Sequence, residues 1–176
     1  MKIKPDLEAV LAAASTGKYD VMPISCEILS DFTTPIEAVR VLKKASRHCF
    51  MLESAQASET WGRYTFLGYD PGMLITCSAG KTEAVCRDGA SEVLEGSPSD
   101  CLRGILRRYR SCSSEGLPPF TGGLVGYFAY DYITYAEPGL TIRAKDTEEF
   151  KDMDLMLFDR VIAFDNVHYV LQVATR

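Results

Sequence analysis

At His48 the hydrophobic pattern of this chain changes period. In the stretch just before it, from Ile36 to Lys43, apolar residues recur at helical spacing. From it onward they alternate, over 48–54, 63–69, 72–79, 81–87 and 91–95. Alternation of apolar and polar residues belongs to strands that bury one face. Asp88-Gly89 is a tight turn into the last of these strands. The rest of the chain adds further strands at 20–29, where Pro23 marks an edge or a strand start, and at 120–130, spaced by glycines. A last hairpin is predicted from Leu155–Phe164 and Tyr169–Thr175 around Asp165-Asn166.

Helices are predicted where the period is 3.6. Residues 6–15 carry Leu7, Val10 and Leu11 on one face. Thr34-Pro35-Ile36-Glu37 is a capping box with proline at the first helical position, and it opens a helix to about Lys44 with Ile36, Val39 and Leu42–Lys43 around its packing face. Ser97-Pro98-Ser99-Asp100 starts another, running to about Cys112 with Leu102, Ile105, Leu106 and Tyr109 on its apolar face. Residues 131–150 read as irregular or briefly helical. The fold class that follows is α+β: mainly antiparallel sheet, β-sandwich-like, with two or three flanking helices.

Composition narrows the function. A chain of 176 residues, 47% hydrophobic and 24% charged, is expected to form one compact domain. Its formal net charge of −5 disfavours nucleic acid or an anionic membrane as a partner. No apolar run is long enough to span a bilayer, and Asp6 and Glu8 interrupt what would otherwise imitate a signal peptide. The six cysteines, Cys26, Cys49, Cys77, Cys86, Cys101 and Cys112, show no C-x-x-C spacing, and His48 and His168 are not at ligand spacing. Buried reduced thiols in a cytoplasmic protein, with no metal site, are the expectation.

Candidate chemistry is sparse. Thr121-Gly122-Gly123-Leu124-Val125-Gly126 lacks the Lys-Ser/Thr of a phosphate-binding loop and the spacing of a dinucleotide fingerprint, so its glycines are read as permitting close backbone approach. Arg103, Arg107, Arg108 and Arg110 on the third helix are read as a solvated face rather than a phosphate site. No G-x-S-x-G occurs, and the paired carboxylates Glu148/Glu149 and Asp152/Asp154 fall in an irregular acidic segment. No catalytic residue is assigned in this chain.

The most informative stretch is Phe50-Met51-Leu52-Glu53-Ser54, followed by Trp61-Gly62-Arg63-Tyr64-Thr65-Phe66-Leu67-Gly68. Alternation sets Phe50, Leu52 and Ser54 on one face and Met51 and Glu53 on the other. A serine at the end of an apolar stripe fits two readings. One is an ordinary satisfied strand end; the other is the rim of a pocket for a ligand apolar at one end and charged at the other.

This stretch resembles the MLES/LLES signature of anthranilate synthase component I. Three more segments resemble the same family in the same order: Arg63 to Pro71, Pro118 to Asp131, and Asp154 to Asp159. Together they cover about residues 20–175. The resemblance implies that residues 1–176 are the N-terminal regulatory region of a larger chorismate-utilising enzyme, which makes anthranilate and pyruvate from chorismate in tryptophan biosynthesis. It implies a feedback site for L-tryptophan, onto which Ser54, Glu53, Leu52 and Arg63 are carried by position. It also implies magnesium in a C-terminal catalytic domain outside this chain, and ammonia from a glutamine amidotransferase subunit. No chorismate- or magnesium-binding motif is found in the sequence, so the chain alone is expected to be inactive. Two alternatives stand beside this: the N-terminal region of aminodeoxychorismate synthase component I of folate synthesis, and a stand-alone amino-acid-binding module.

Overall fold

The structure, a computed structural model, describes residues 3–53, 62–112, 116–141, 149–168 and 170–175. Local signals place the first elements. Strand β1 is Ile3–Lys4 and helix α1 is Leu7–Ser15, begun by Asp6, whose Oδ1 accepts from the Ala9 N–H at 2.9 Å. Its Leu7 and Leu11 face solvent, and none of its residues is buried. Strand β2, Ile24–Leu29, follows Pro23, and helix α2, Pro35–Ala45, opens on the expected capping box. There the Thr34 hydroxyl accepts from Glu37 N–H while Glu37 Oε2 accepts from Thr34 N–H, at 3.2 and 3.1 Å. Replacing Thr34 by alanine removes the first of these bonds. It should cost about 1 kcal/mol in a urea denaturation of the chain.

Strands β3 (Cys49–Leu52), β4 (Tyr64–Tyr69), β5 (Met73–Ser78), β6 (Lys81–Cys86) and β7 (Ser91–Leu94) lie where the alternation predicts them. Helix α3, Pro98–Arg107, stops short of Cys112. A tertiary bridge claims the residues beyond it. Asp20 and Val21 N–H both donate to the Arg110 carbonyl, Val21 pairs with Ser111, and Asp20 takes the Arg110 guanidinium in two bonds of 2.8 and 3.0 Å. The helix buries Pro98, Cys101 and Ile105, whereas Leu106 faces outward. Strand β8 is Gly123–Phe128; a short 3-10 turn then leads into helix α4, Ile133–Ala136.

The sequence predicts one strand over 155–164, but the structure has two. Strand β9, Met153–Phe158, ends at Asp159, and β10, Arg160–Asp165, begins a different sheet before turning into β11, Val170–Thr175. One sheet has the order β1-β2-β11-β10-β4-β3 and the other β7-β6-β5-β9-β8. Wherever register is defined between strands, the pairing is antiparallel. The α+β expectation holds.

Composition predicts one domain, whereas the chain divides into two compact units. The first comprises Met1–Pro71, Tyr109–Gly123 and Phe158–Arg176; the second comprises Gly72–Arg108 and Leu124–Leu157. The reason is that each sheet carries its own buried set. In the first unit Ala38, Leu67 and Phe164 form a core, with Val39, Leu42 and Ile162 packed on it. Helix α2 therefore packs through Ala38, Val39 and Leu42, and the predicted contributor Ile36 points to solvent. Phe50 meets Phe158 edge-on at 4.7 Å between centroids, and Phe120 meets both Phe50 and Phe66 in the same way. In the second unit the register sets Met73, Ile75 and Cys77 directly opposite Leu157, Leu155 and Met153, so alternate residues of β5 and β9 form one buried stripe.

Candidate functional site

Arg63 stands just before β4, and its guanidinium meets Asp165, the last residue of β10, 102 positions away in sequence. The β4–β10 register, with Tyr64 opposite Asp165, brings them together. Arg63 Nε donates to both carboxylate oxygens at 3.1 Å, and Nη2 donates to Oδ2 at 2.6 Å. The turn after β10 supplies more donors. The N–H groups of Val167 and His168 reach Oδ1 at 3.0 and 3.2 Å, and His168 Nδ1 lies 2.9 Å from Oδ2. The same Nδ1 is 2.8 Å from Arg63 Nη2. Asn166 ties the turn to the start of β4, its N–H donating to the Arg63 carbonyl at 2.8 Å.

The Asp165 side chain is 2% exposed and that of Arg63 35%. Burial by itself pushes the Asp165 pKa up. The donors from Arg63, His168 and the two backbone N–H groups outweigh it and hold the carboxyl well below the usual carboxylate range. The Arg63 guanidinium is in turn held above its ordinary value, first by its bond to Asp165. It also lies over the Tyr64 ring, 4.9 Å from the centroid. Burial shifts the Tyr64 phenol upward.

These side chains line an open cleft of about 470 Å³ together with Glu27, Gly116 and Leu117. That volume is in the range of small-molecule sites. A guanidinium and an imidazole offer donors to a carboxylate or another anion. Glu27, paired with Lys4 at 3.1 Å, brings negative charge to the same cleft, and Leu117 and the Tyr64 ring bring apolar surface. The lining therefore suits a small molecule carrying charge and an apolar body.

Of the residues assigned from sequence, Arg63 is in this cleft. Leu52 and Glu53 are exposed at the end of β3. The register from Cys49↔Tyr69 to Leu52↔Phe66 brings that end of β3 to the end of β4 where Arg63 stands. The predicted apolar stripe is only partly packed, since Phe50 joins the aromatic cluster while Leu52 is 48% exposed. Ser54 lies outside the described residues. Sequence reasoning missed Asp165, His168, Glu27 and Leu117. Asp165-Asn166 was legible as a hairpin turn, but the partner of its carboxylate is a hundred residues distant.

The remaining candidates resolve as structural features. Arg103 of α3 and Arg108, the residue that caps its C-terminus, are exposed and paired with Asp100 and Glu92, as a solvated face should be. All six cysteines are free thiols; Cys77 and Cys101 are buried, and the other four only half-buried. Asp152 accepts from the Tyr135 hydroxyl at 2.6 Å, and Lys151 is paired with Asp154. Among the described residues no three His, Cys, Asp or Glu side chains are grouped to hold a metal ion, and no helix is long and apolar enough to cross a membrane.

Fold and cleft together define an α+β protein with two mainly antiparallel sheets and a charged cleft of small-molecule size in one unit. No family model matches the chain. It is 30% identical over 169 residues to anthranilate synthase component 1 of Acetivibrio thermocellus, covering 96% of this chain and 33% of that protein. To the protein of the same name from Pseudomonas putida it is 37% identical over 165 residues, covering 91% and 32%. Anthranilate synthase component I from Streptococcus pneumoniae matches in structure with a TM-score of 0.55 and 28% identity, over 85% of this chain and 31% of that one. By sequence and fold the chain is homologous to the N-terminal region of anthranilate synthase component 1. It spans about a third of the length of these relatives.

Proposed function

We propose that this chain is the tryptophan-binding feedback region of an anthranilate synthase large subunit, with Ser54, Glu53, Leu52 and Arg63 in the regulator's site. The observation that carries this reading is the match, over nine-tenths of the chain, to proteins named anthranilate synthase component 1. Supporting it, Leu52, Glu53 and Arg63 stand at one end of the β3–β4 pair, beside a cleft with a guanidinium suited to an amino-acid carboxylate.

In the whole protein, chorismate and ammonia would become anthranilate and pyruvate. The chemistry and any magnesium belong to a catalytic domain outside these residues, and a glutamine amidotransferase subunit supplies the ammonia. The region described here binds the end product and contributes no group to the reaction. The protein acts in the cytoplasm.

Energetics set what the polar end of the site must do. Burying an indole of about 200 Å² is worth about 5 kcal/mol. A micromolar ligand needs about 8 kcal/mol. The remainder falls to hydrogen bonds and charge at the amino-acid end, so Ser54→Ala should weaken tryptophan inhibition at least about tenfold, a loss of about 1.4 kcal/mol. The measurement is anthranilate formation by the complete protein with its amidotransferase, titrated with tryptophan. Inhibition unchanged by the substitution, or absent in the unaltered protein, would overturn the reading. Formation of aminodeoxychorismate in place of anthranilate would assign the chain to the folate enzyme.

A further inference from the structure

The His168 imidazole is 61% exposed and lines the cleft beside Arg63. Its Nδ1 lies 2.8 Å from Arg63 Nη2 and 2.9 Å from Asp165 Oδ2. One nitrogen cannot serve both. Accepting from the guanidinium requires a bare lone pair, and donating to the carboxylate requires a proton. Protonation therefore changes the charge of the cluster. With neutral His168 the Arg63–Asp165 pair sums to zero, and with imidazolium it carries one net positive charge.

Other titratable groups line the same cleft. Glu27, on β2, is paired with Lys4 of β1; Tyr64, on β4, has its phenol shifted further up from an already alkaline value; and Asp165 is held as the carboxylate.

We infer that His168 is a second, proton-dependent carboxylate anchor beside Arg63, facing the charged end of an amino acid bound in the cleft. The inference rests on the tryptophan reading above. A bound carboxylate stabilises the imidazolium, so binding takes up a proton, and affinity rises as pH falls. Because the imidazole is exposed and screened, the gain should be about three- to tenfold between about pH 8 and about pH 6. Tryptophan's own charges do not change in that window. A residue that merely braced the turn would alter stability with pH and leave the affinity profile flat.

The experiment is calorimetry of L-tryptophan on the complete protein across that range, repeated in two buffers of different ionisation enthalpy to count protons. The unaltered protein should bind more tightly at the lower pH and take up protons. H168Q, at an exposed position and still able to hydrogen bond, should bind with no pH slope and no proton uptake. A slope that survives in H168Q, or is absent from the unaltered protein while tryptophan still binds, overturns this inference alone. No tryptophan binding at any pH overturns the underlying reading with it.

Discussion

Arg63→Met should lower the stability of the chain by about 2–3 kcal/mol in a urea denaturation, well beyond the effect of an ordinary surface substitution. The substitution keeps the aliphatic bulk and removes the guanidinium. Asp165 is then left 97% buried without its bidentate partner. Breaking a buried ion pair from one side costs about 3–5 kcal/mol. The lower figure applies here because Arg63 is partly exposed, and because the Val167 and His168 donors remain.

The loss should also depend on pH in a defined direction. A carboxyl whose folded pKa is depressed contributes stability that is fully present above its unfolded pKa of about 3.9. That stability disappears as pH falls through the folded value. Asp165 is of this kind, so the unaltered protein keeps its contribution into acid. Without the guanidinium, burial raises the folded pKa, and the contribution is lost at less acidic pH. Adding Asp165→Asn to Arg63→Met should recover part of the stability, because no buried charge is left to satisfy. Equal stability of R63M and the unaltered protein would show that the pair contributes nothing.

Gly126→Ala should be as damaging, about 3 kcal/mol, for a steric reason. A Cβ on Gly126 would fall onto the carbonyl oxygen of Asp154 and the Cα of Leu155, both backbone atoms of β9. Backbone cannot swing aside, so β8 must separate from β9, an overpacking cost at the upper end of the usual range. Gly68→Ala provides the contrast. The three atoms nearest its Cβ would all belong to the ring of Phe50, which can move at the expense of its edge-on contact with Phe158. That substitution should cost about 1–2 kcal/mol. Differential unfolding of the two variants decides the comparison, and a Gly126→Ala protein within about 0.5 kcal/mol of the unaltered one would refute the close approach.

Much of the fold was legible because its signals are local. The Thr34–Glu37 box and the alternation from His48 to Leu94 each lie within a few residues of what they specify. Errors fell where a distant segment intervened. Helix α3 ends at Arg107 because Asp20 and Val21 hold Arg110 and Ser111. The candidate site was legible only in part. Arg63 could be named from its motif, but the motif carries no sign that its guanidinium is held by Asp165 and His168.

The sequence by itself determined the alternation and caps that define most strands and helices, the glycines where strands approach closely, and the motifs that mark the family. Those properties depend on neighbours along the chain. Only the tertiary structure decided that the apolar run from Met153 to Asp165 breaks at Asp159 and serves two sheets, and that Arg63 and Asp165 share one cleft. Hydrophobic period tells a strand which face to bury. It does not tell the strand which partner, a hundred residues away, will cover its edge.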